Sequence, residues 1–248
     1  MMLVRYLSQI GRYFLMWKDI FRKPTKWKVM KGLLIKEIDD LIIGSLGIVA
    51  FISFFVGGVV AIQTALNLTN PLIPKTLIGF ATRQSVLLEF APTFISIVMA
   101  GKMGSFITSS IGTMRVTEQI DALEVMGVNA VNYLVFPKLM ALLLYPFVIG
   151  IAMFLGMLGG WMAGVYGGFT SSENFIAGLQ NEFVPFHIAY AFIKTFLFAL
   201  LLATIPSFHG FYMKGGALEV GKASTVAFVW TSVTIILVNY IITQLLLT

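Results

Sequence analysis

Three long stretches without one charged side chain constrain this sequence more than any other feature. Leu41–Pro74 and Leu139–Ser172 each run 34 residues, and Ala223–Thr248 runs 26. A helix of about 20 apolar residues crosses the ~30 Å hydrocarbon core of a bilayer, so each stretch is long enough for one crossing. Composition points the same way: 58% of residues are hydrophobic and 11% charged, where a soluble domain carries about a quarter charged residues. The expected class is an all-α integral membrane protein. The sequence contains no cysteine, which removes disulfides and thiolate chemistry from consideration.

Taken in order, residues 1–21 place Leu3, Leu7, Ile10, Phe14, Trp17 and Phe21 on one helical face, with Arg5, Arg12 and Lys18 elsewhere. That pattern predicts an amphipathic helix lying in the membrane interface, and the arginines interrupt any signal-peptide apolar region. A basic connector, Phe21–Lys36, carries Pro24 and Trp27. Residues 1–36 sum to +8 while the whole chain is +6, so the remainder is −2. A basic segment beside the first span reads as cytoplasmic under the positive-inside rule, and its neighbouring spans argue against nucleic acid as its partner.

The division expected is therefore 1–36, the interfacial segment, and 37–248, a five-span domain. Span 1 is Leu41–Leu66, followed by a turn at Asn67, Asn70, Pro71 and Pro74. Span 2 is about Thr76–Ser109 and carries Arg83, Glu89 and Lys102, the two cations near its ends where long side chains reach water. Span 3 lies in Leu139–Ser172, with Pro146 as a kink point. Gly156, Gly160, Gly164 and Gly168 recur every four residues there, a small-residue stripe suited to close helix packing within the chain or between subunits. A polar loop spans Glu173–Glu182, span 4 is about Phe183–Pro206 with Lys194 in its middle, and Ser207–Lys222 forms the next loop. Span 5 is Ala223–Thr248, and five crossings from a cytoplasmic N-terminus place the C-terminus outside.

Between spans 2 and 3 lies the most charged part of the membrane domain, Gly112–Val128. Val116, Ile120, Leu123 and Gly127 recur at helical spacing, with Arg115, Glu118, Gln119, Asp121 and Glu124 around them. Arg115 is within helical reach of Glu118 and Gln119, and Gly127 suits the left-handed residue that ends a helix. At roughly 21 Å such a helix is too short and too charged to cross the bilayer, so it is expected at the surface, where it invites a partner. Its three carboxylates fit docking or plain solvation better than acid–base chemistry.

Two other features bear on function. Gly216–Ala223 nearly spells a phosphate-binding loop, but the hydroxyl position is Ala223 and no strand precedes it, so the glycines are read as shaping a tight turn. Glu89 and Lys194 are the ionisable groups hardest to place in lipid. A charge at mid-span costs about 2.5–3.5 kcal/mol on insertion scales, so such groups face a cavity or each other. Either they line a path for a polar headgroup, with Lys194 attracting phosphate, or they form a structural pair. His187 and His209 sit at opposite ends of span 4 and cannot share a metal.

With these residues read, the chain resembles the MlaE/YrbE family, permease subunits of ABC transporters that work with MCE proteins on phospholipids. The likeness covers about residues 40–245. It is strongest at Gly101–Ser105, at Gly112–Gly127, whose Glu118–Met126 carries the family's EQIDALxVM signature, and at Leu134–Lys138. Gly58–Gln63, Leu88–Pro92, Ile193–Lys194 and Gly210–Thr225 match further family segments. The departures are Leu88 and Lys102 where the family has Arg, Ser110 where it has Glu, Ala130 where it has Pro, and Asn239 where it has Asp.

The resemblance implies that Gly112–Val128 is a coupling helix docking on a separate ATPase, with Arg115, Glu118, Gln119, Asp121, Leu123 and Glu124 making the contact. It implies a homodimer with a lipid cavity near Glu89, Lys194, Leu88 and Gln63, an MCE ring above it and two ATPases below. No cofactor is expected on this chain, since ATP and Mg²⁺ would sit on the ATPase. A Gram-negative inner membrane is the implied location. With Leu88 in place of Arg, Lys194 becomes the favoured phosphate contact. The rivals are an ion-coupled transporter or channel using Glu89 and Lys194 as a relay, which predicts activity without an ATPase, and a membrane-embedded enzyme, for which no catalytic set is present.

Overall fold

The computed structural model of the chain describes residues 2–22, 25–68 and 72–247, with side chains from residue 8 onward. Asn70 and Pro71 of the expected turn, Lys23 and Pro24 of the connector, and the side chains of Leu3, Arg5 and Leu7 lie outside them. Every regular element among the described residues is helical. Helix α1 is Met2–Ile20, α2 is Trp27–Asn67, α3 is Thr76–Val116, and α4 is the short Gln119–Val125. Then come α5, Ala130–Tyr166, α6, Ser172–Gln180, and α7 and α8, Phe186–Phe211 and Ala217–Leu247. Helices α2, α3, α5, α7 and α8 are long and apolar enough to cross a membrane, and the chain is a multi-pass membrane protein.

The helices overrun the charge-free stretches. Helix α2 starts at Trp27 rather than Leu41, α3 continues past Ser109 to Val116, and α5 starts at Ala130 rather than Leu139. A helix satisfies its own backbone bonds in lipid and in water alike, so it does not stop where the charges begin. The expected boundary at residue 36 accordingly falls inside α2. The α5 hydrogen-bond ladder is interrupted at Leu143–Leu144, beside Pro146, whose nitrogen cannot donate to the Leu142 carbonyl.

The chain forms two compact units. One is Met1–Gly44, Met99–Leu144 and Ala199–Thr234; the other is Ser45–Val98, Tyr145–Phe198 and Ile235–Thr248. The first contains α1 and α4. Its interior is built from Met16, Ile20, Leu41, Met103, Ile107, Ile111, Val135 and Leu142. A second face of α1 packs within the unit: Met16 and Ile20 are buried, while Ile10, Phe14 and Phe21 of the expected interfacial face are exposed. The exposed stripe is the one suited to lipid, and the second face ties the helix to the start of α5. There Asn132 accepts from the Thr25 N–H and hydroxyl, both at 2.9 Å, and donates to the Ile20 carbonyl at 2.6 Å. Asn129 donates to the carbonyls of Asp19 and Arg22. In the same unit Lys102 donates to the Gly44 carbonyl, and buried Lys138 pairs with Glu37.

In the second unit, α2 and α5 approach until backbones touch. A Cβ on Gly57 would collide with the Gly156 carbonyl, and one on Gly159 with the Phe54 carbonyl. Gly160 abuts Thr82 and Gly164 abuts Thr170 and Phe175, whereas Gly168, at φ +73°, belongs to the turn after α5. Packing within the chain therefore uses Gly156, Gly160 and Gly164.

The expected polar loop at Glu173–Glu182 is mostly helix α6. Ser171 caps it by accepting from the Asn174 N–H, and Phe175 is fully buried against Ala61 and Ile78. Arg83 does not reach out to the interface as its sequence position suggests. It is buried and donates to the carbonyls of Leu179, Asn181 and Glu182 at 2.6, 2.9 and 3.3 Å, satisfying the acceptors that the end of α6 leaves open.

Candidate functional site: a closed polar cluster and an open charged segment

The polar cluster lies in the second unit. Its local cause is Pro92, inside the widened turn Val86–Phe94 of α3. Proline has no N–H, so the Leu88 carbonyl four residues earlier loses its α-helical donor. Lys194 Nζ donates to that carbonyl at 2.9 Å. The same ammonium donates to Glu89 Oε1 at 2.9 Å and to the Tyr190 hydroxyl at 3.0 Å. Three donors meet three acceptors, and the Lys194 side chain is 0% exposed.

Glu89 has a different situation. Its Oε2 accepts from Asn239 Nδ2 at 3.1 Å and lies 3.0 Å from the Thr93 hydroxyl. That hydroxyl is equally 3.0 Å from Asn239 Oδ1, so its single proton serves one of the two at a time. Tyr190 is tied onward to Thr243 at 2.8 Å. The Glu89 side chain remains 44% exposed. The pair is therefore neutral in sum, with its cation sealed and its carboxylate open.

Two sequence expectations change here. Lys194 holds no free ammonium for a phosphate, because all three of its protons are engaged and it is fully buried. Leu88 contributes through its carbonyl, so its side chain does not decide that contact. Gln63 is exposed on α2 and is not among the groups bonded to Glu89 or Lys194. Asn239, noted in the sequence only as a departure, is a direct partner of Glu89.

The segment expected to couple to an ATPase lies in the first unit, and it is not one helix over Gly112–Val128. Helix α3 ends at Val116, Glu118 takes the left-handed conformation at φ 58°, and α4 restarts at Gln119. Arg115 consequently meets Asp121 across the break at 2.7 Å, rather than Glu118. Gln119 donates back to the Thr117 hydroxyl at 3.0 Å. Gly127, at φ +76°, ends the segment in the left-handed conformation.

Only Ile120 of the expected apolar stripe is fully buried. Leu123 is half-buried, while Glu118, Gln119, Asp121 and Glu124 are exposed. Two apolar residues that the helical spacing did not single out stand free at the tip: Val125 is 89% exposed and Met126 67%. Beside them is an open cleft of about 580 Å³ lined by Asp19, Arg22, Arg115, Glu124, Asn129 and Tyr212 among others. Burial, then the Asp19 and Glu124 carboxylates, push the Tyr212 phenol above its ordinary pKa, with Arg12 opposing. It stays protonated and can donate a hydrogen bond there.

The near phosphate-loop at Gly216–Ala223 is a turn followed by the first residues of α8, with Glu219 paired to Lys222 at 2.6 Å. It lacks the strand–loop–helix setting among the described residues.

Comparison with known proteins bears on both regions. The family described as permease MlaE matches residues 34–245. A probable ABC transporter permease protein of Rickettsia bellii is 31% identical over 243 residues, covering 98% of this chain and 93% of the relative. Another from Synechocystis is 32% identical over 203 residues, covering 82% and 77%. The Haemophilus influenzae protein named intermembrane phospholipid transport system permease protein MlaE is 27% identical over 259 residues, covering 99% and 98%. With the family match running through nearly the whole membrane domain and relatives above 30% identity along it, the chain belongs to the MlaE permease family.

Proposed function

We propose that this chain is the transmembrane subunit of an ABC transporter that moves phospholipids between the inner and outer membranes of a Gram-negative cell, powered by a separate ATPase subunit. The observation that carries the reading is the exposed tip Val125–Met126, at the end of a short helix whose Glu118, Asp121 and Glu124 are exposed, inside the region that the family matches. An exposed apolar tip on a charged surface helix is a surface made for a partner. ATP and Mg²⁺ bind on that partner, and this chain binds neither. The basic N-terminal segment supports a cytoplasmic N-terminus, which puts α4 on the cytoplasmic side and the C-terminus in the periplasm.

The chain works as a homodimer beneath an MCE-domain protein, and lipid passes beside the Glu89 cluster. There the open carboxylate of Glu89, rather than Lys194, is the polar group a headgroup meets. A neutral pair set in apolar walls suits an amphiphile better than a bare ion. An ion relay through Lys194 gains no support from an ammonium whose three donors are all bound.

Charge reversal tests the docking role. The double variant Glu118→Lys/Glu124→Lys is expected to insert normally yet lose co-purification with the ATPase. Retained association at wild-type levels would contradict the reading.

A further inference from the structure

Two adjoining hollows in the first unit have no part in the functions above. One, of about 280 Å³, is apolar and lies among α1, α7 and α8, lined by Ile10, Tyr13, Leu201, Ile205, Phe208 and Trp230 among others. The other, also about 280 Å³, is polar and presents Arg12, Lys214 and Lys222 beside Glu219. Gln9, Phe208 and His209 line both, so the two form one continuous groove with an apolar end and a cationic end.

The groove is built rather than incidental. The Tyr13 hydroxyl is 2.6 Å from that of Thr204, and its ring meets Phe208 edge-on at 5.7 Å, fixing α1 against α7. Trp230 is 48% exposed along it, as suits an indole at the lipid–water boundary. Lys222 is paired with Glu219, while Arg12 and Lys214 have no ion-pair partner among the described residues. Two unpaired cations beside an apolar slot complement one molecular class in the leaflet that faces this basic end: a lipid with an acyl chain and an anionic head. Basic pockets between membrane helices bind such heads.

We infer that this groove is a binding site for an anionic glycerophospholipid, its acyl chain along Ile205, Phe208 and Trp230 and its phosphate between Arg12 and Lys214. The site belongs to the first unit, whereas the Glu89 cluster belongs to the second, and it stands whether or not the chain moves lipid. A resident lipid there would hold α1 to α7 and α8, making the seating of α1 depend on membrane charge.

The test is fluorescence quenching of the full chain in vesicles by dibrominated phosphatidylglycerol or dibrominated phosphatidylcholine. The Trp230→Phe variant isolates the signal of Trp230 from those of Trp17, Trp27 and Trp161. Phosphatidylglycerol is expected to quench Trp230 preferentially, and Arg12→Gln and Lys214→Gln each to reduce that preference about fivefold. Both positions are exposed, so the variants should fold normally. Thr234→Phe, which fills the apolar end, should reduce the phosphatidylglycerol that co-purifies, measured by native mass spectrometry, and soluble glycerol phosphate should not displace the lipid. Equal quenching by the two lipids, or a preference that survives Arg12→Gln/Lys214→Gln, overturns the proposal. So does silence from both lipids, which is the result if a second copy of the chain covers the groove. A preference abolished by Glu89→Gln would put the lipid at the other cluster and equally overturn it.

Discussion

The Glu89–Lys194 cluster and the Arg115–Met126 segment both gather charges in a chain that has few, and they use them in opposite ways. In the cluster the bonds close on themselves: a sealed ammonium takes three acceptors from its own chain, one of them the Leu88 carbonyl. In the segment a single exposed ion pair, Arg115–Asp121, bridges a backbone break, and the remaining carboxylates and the apolar tip face outward. A charge buried in a membrane protein is first a structural commitment, because its desolvation must be offset on the spot. Glu124, next to bare Val125 and in no ion pair among the described residues, is available to another molecule. The contrast fits a structural role for the first region and the proposed assembly role for the second.

The largest expected effect breaks the cluster. Lys194→Ala leaves Glu89 without its cation and opens a void, and should cost about 3–5 kcal/mol in unfolding measured in detergent. The double variant Lys194→Met/Glu89→Gln should recover most of that loss, since a neutral packed pair offsets no desolvation. If Lys194→Ala melts like the parent, the cluster is not structural and the contrast fails. Next comes the tip. Val125→Asp/Met126→Asp should weaken ATPase association at least about tenfold while unfolding shifts by no more than ~0.5 kcal/mol, as for other exposed substitutions. A large stability loss here would mean the tip packs within the chain. The smallest effect sharpens the picture inside the cluster: Thr93→Val removes one shared hydroxyl and should cost about 1 kcal/mol, read by the same unfolding experiment.

Three of the five spans were legible because a run of 26 to 34 residues without charge suits little besides a membrane crossing, and the other two because long apolar stretches carry only one to three charges each. Their ends were not. Polarity marks where lipid stops, and α2 and α3 run on through basic and acidic residues with their backbone bonds intact. The break at Glu118 left no trace, since neither glycine nor proline marks it and the helical spacing continues through it. Pairing of Glu89 with Lys194 was one of two readings the charges allowed. What would have favoured it was Pro92, which removes the α-helical donor of the Leu88 carbonyl to which Lys194 donates. The Glu37–Lys138 pair was missed because its members stand 101 residues apart near span ends, where each alone looks like a solvated charge. Helix α6 was legible in part, since Ser171 followed by Glu173 is a helix-start pattern, but the polar run around it read as loop.

The central claim is that this chain is driven through its coupling segment by a separate ATPase. It is tested most directly by measuring movement of fluorescent phospholipid in vesicles holding the chain alone, the chain with its ATPase subunit, and the Val125→Asp/Met126→Asp variant with that subunit. The account predicts ATP-dependent movement only in the second preparation. ATP-dependent movement by the chain alone, or undiminished movement with the variant, would contradict it.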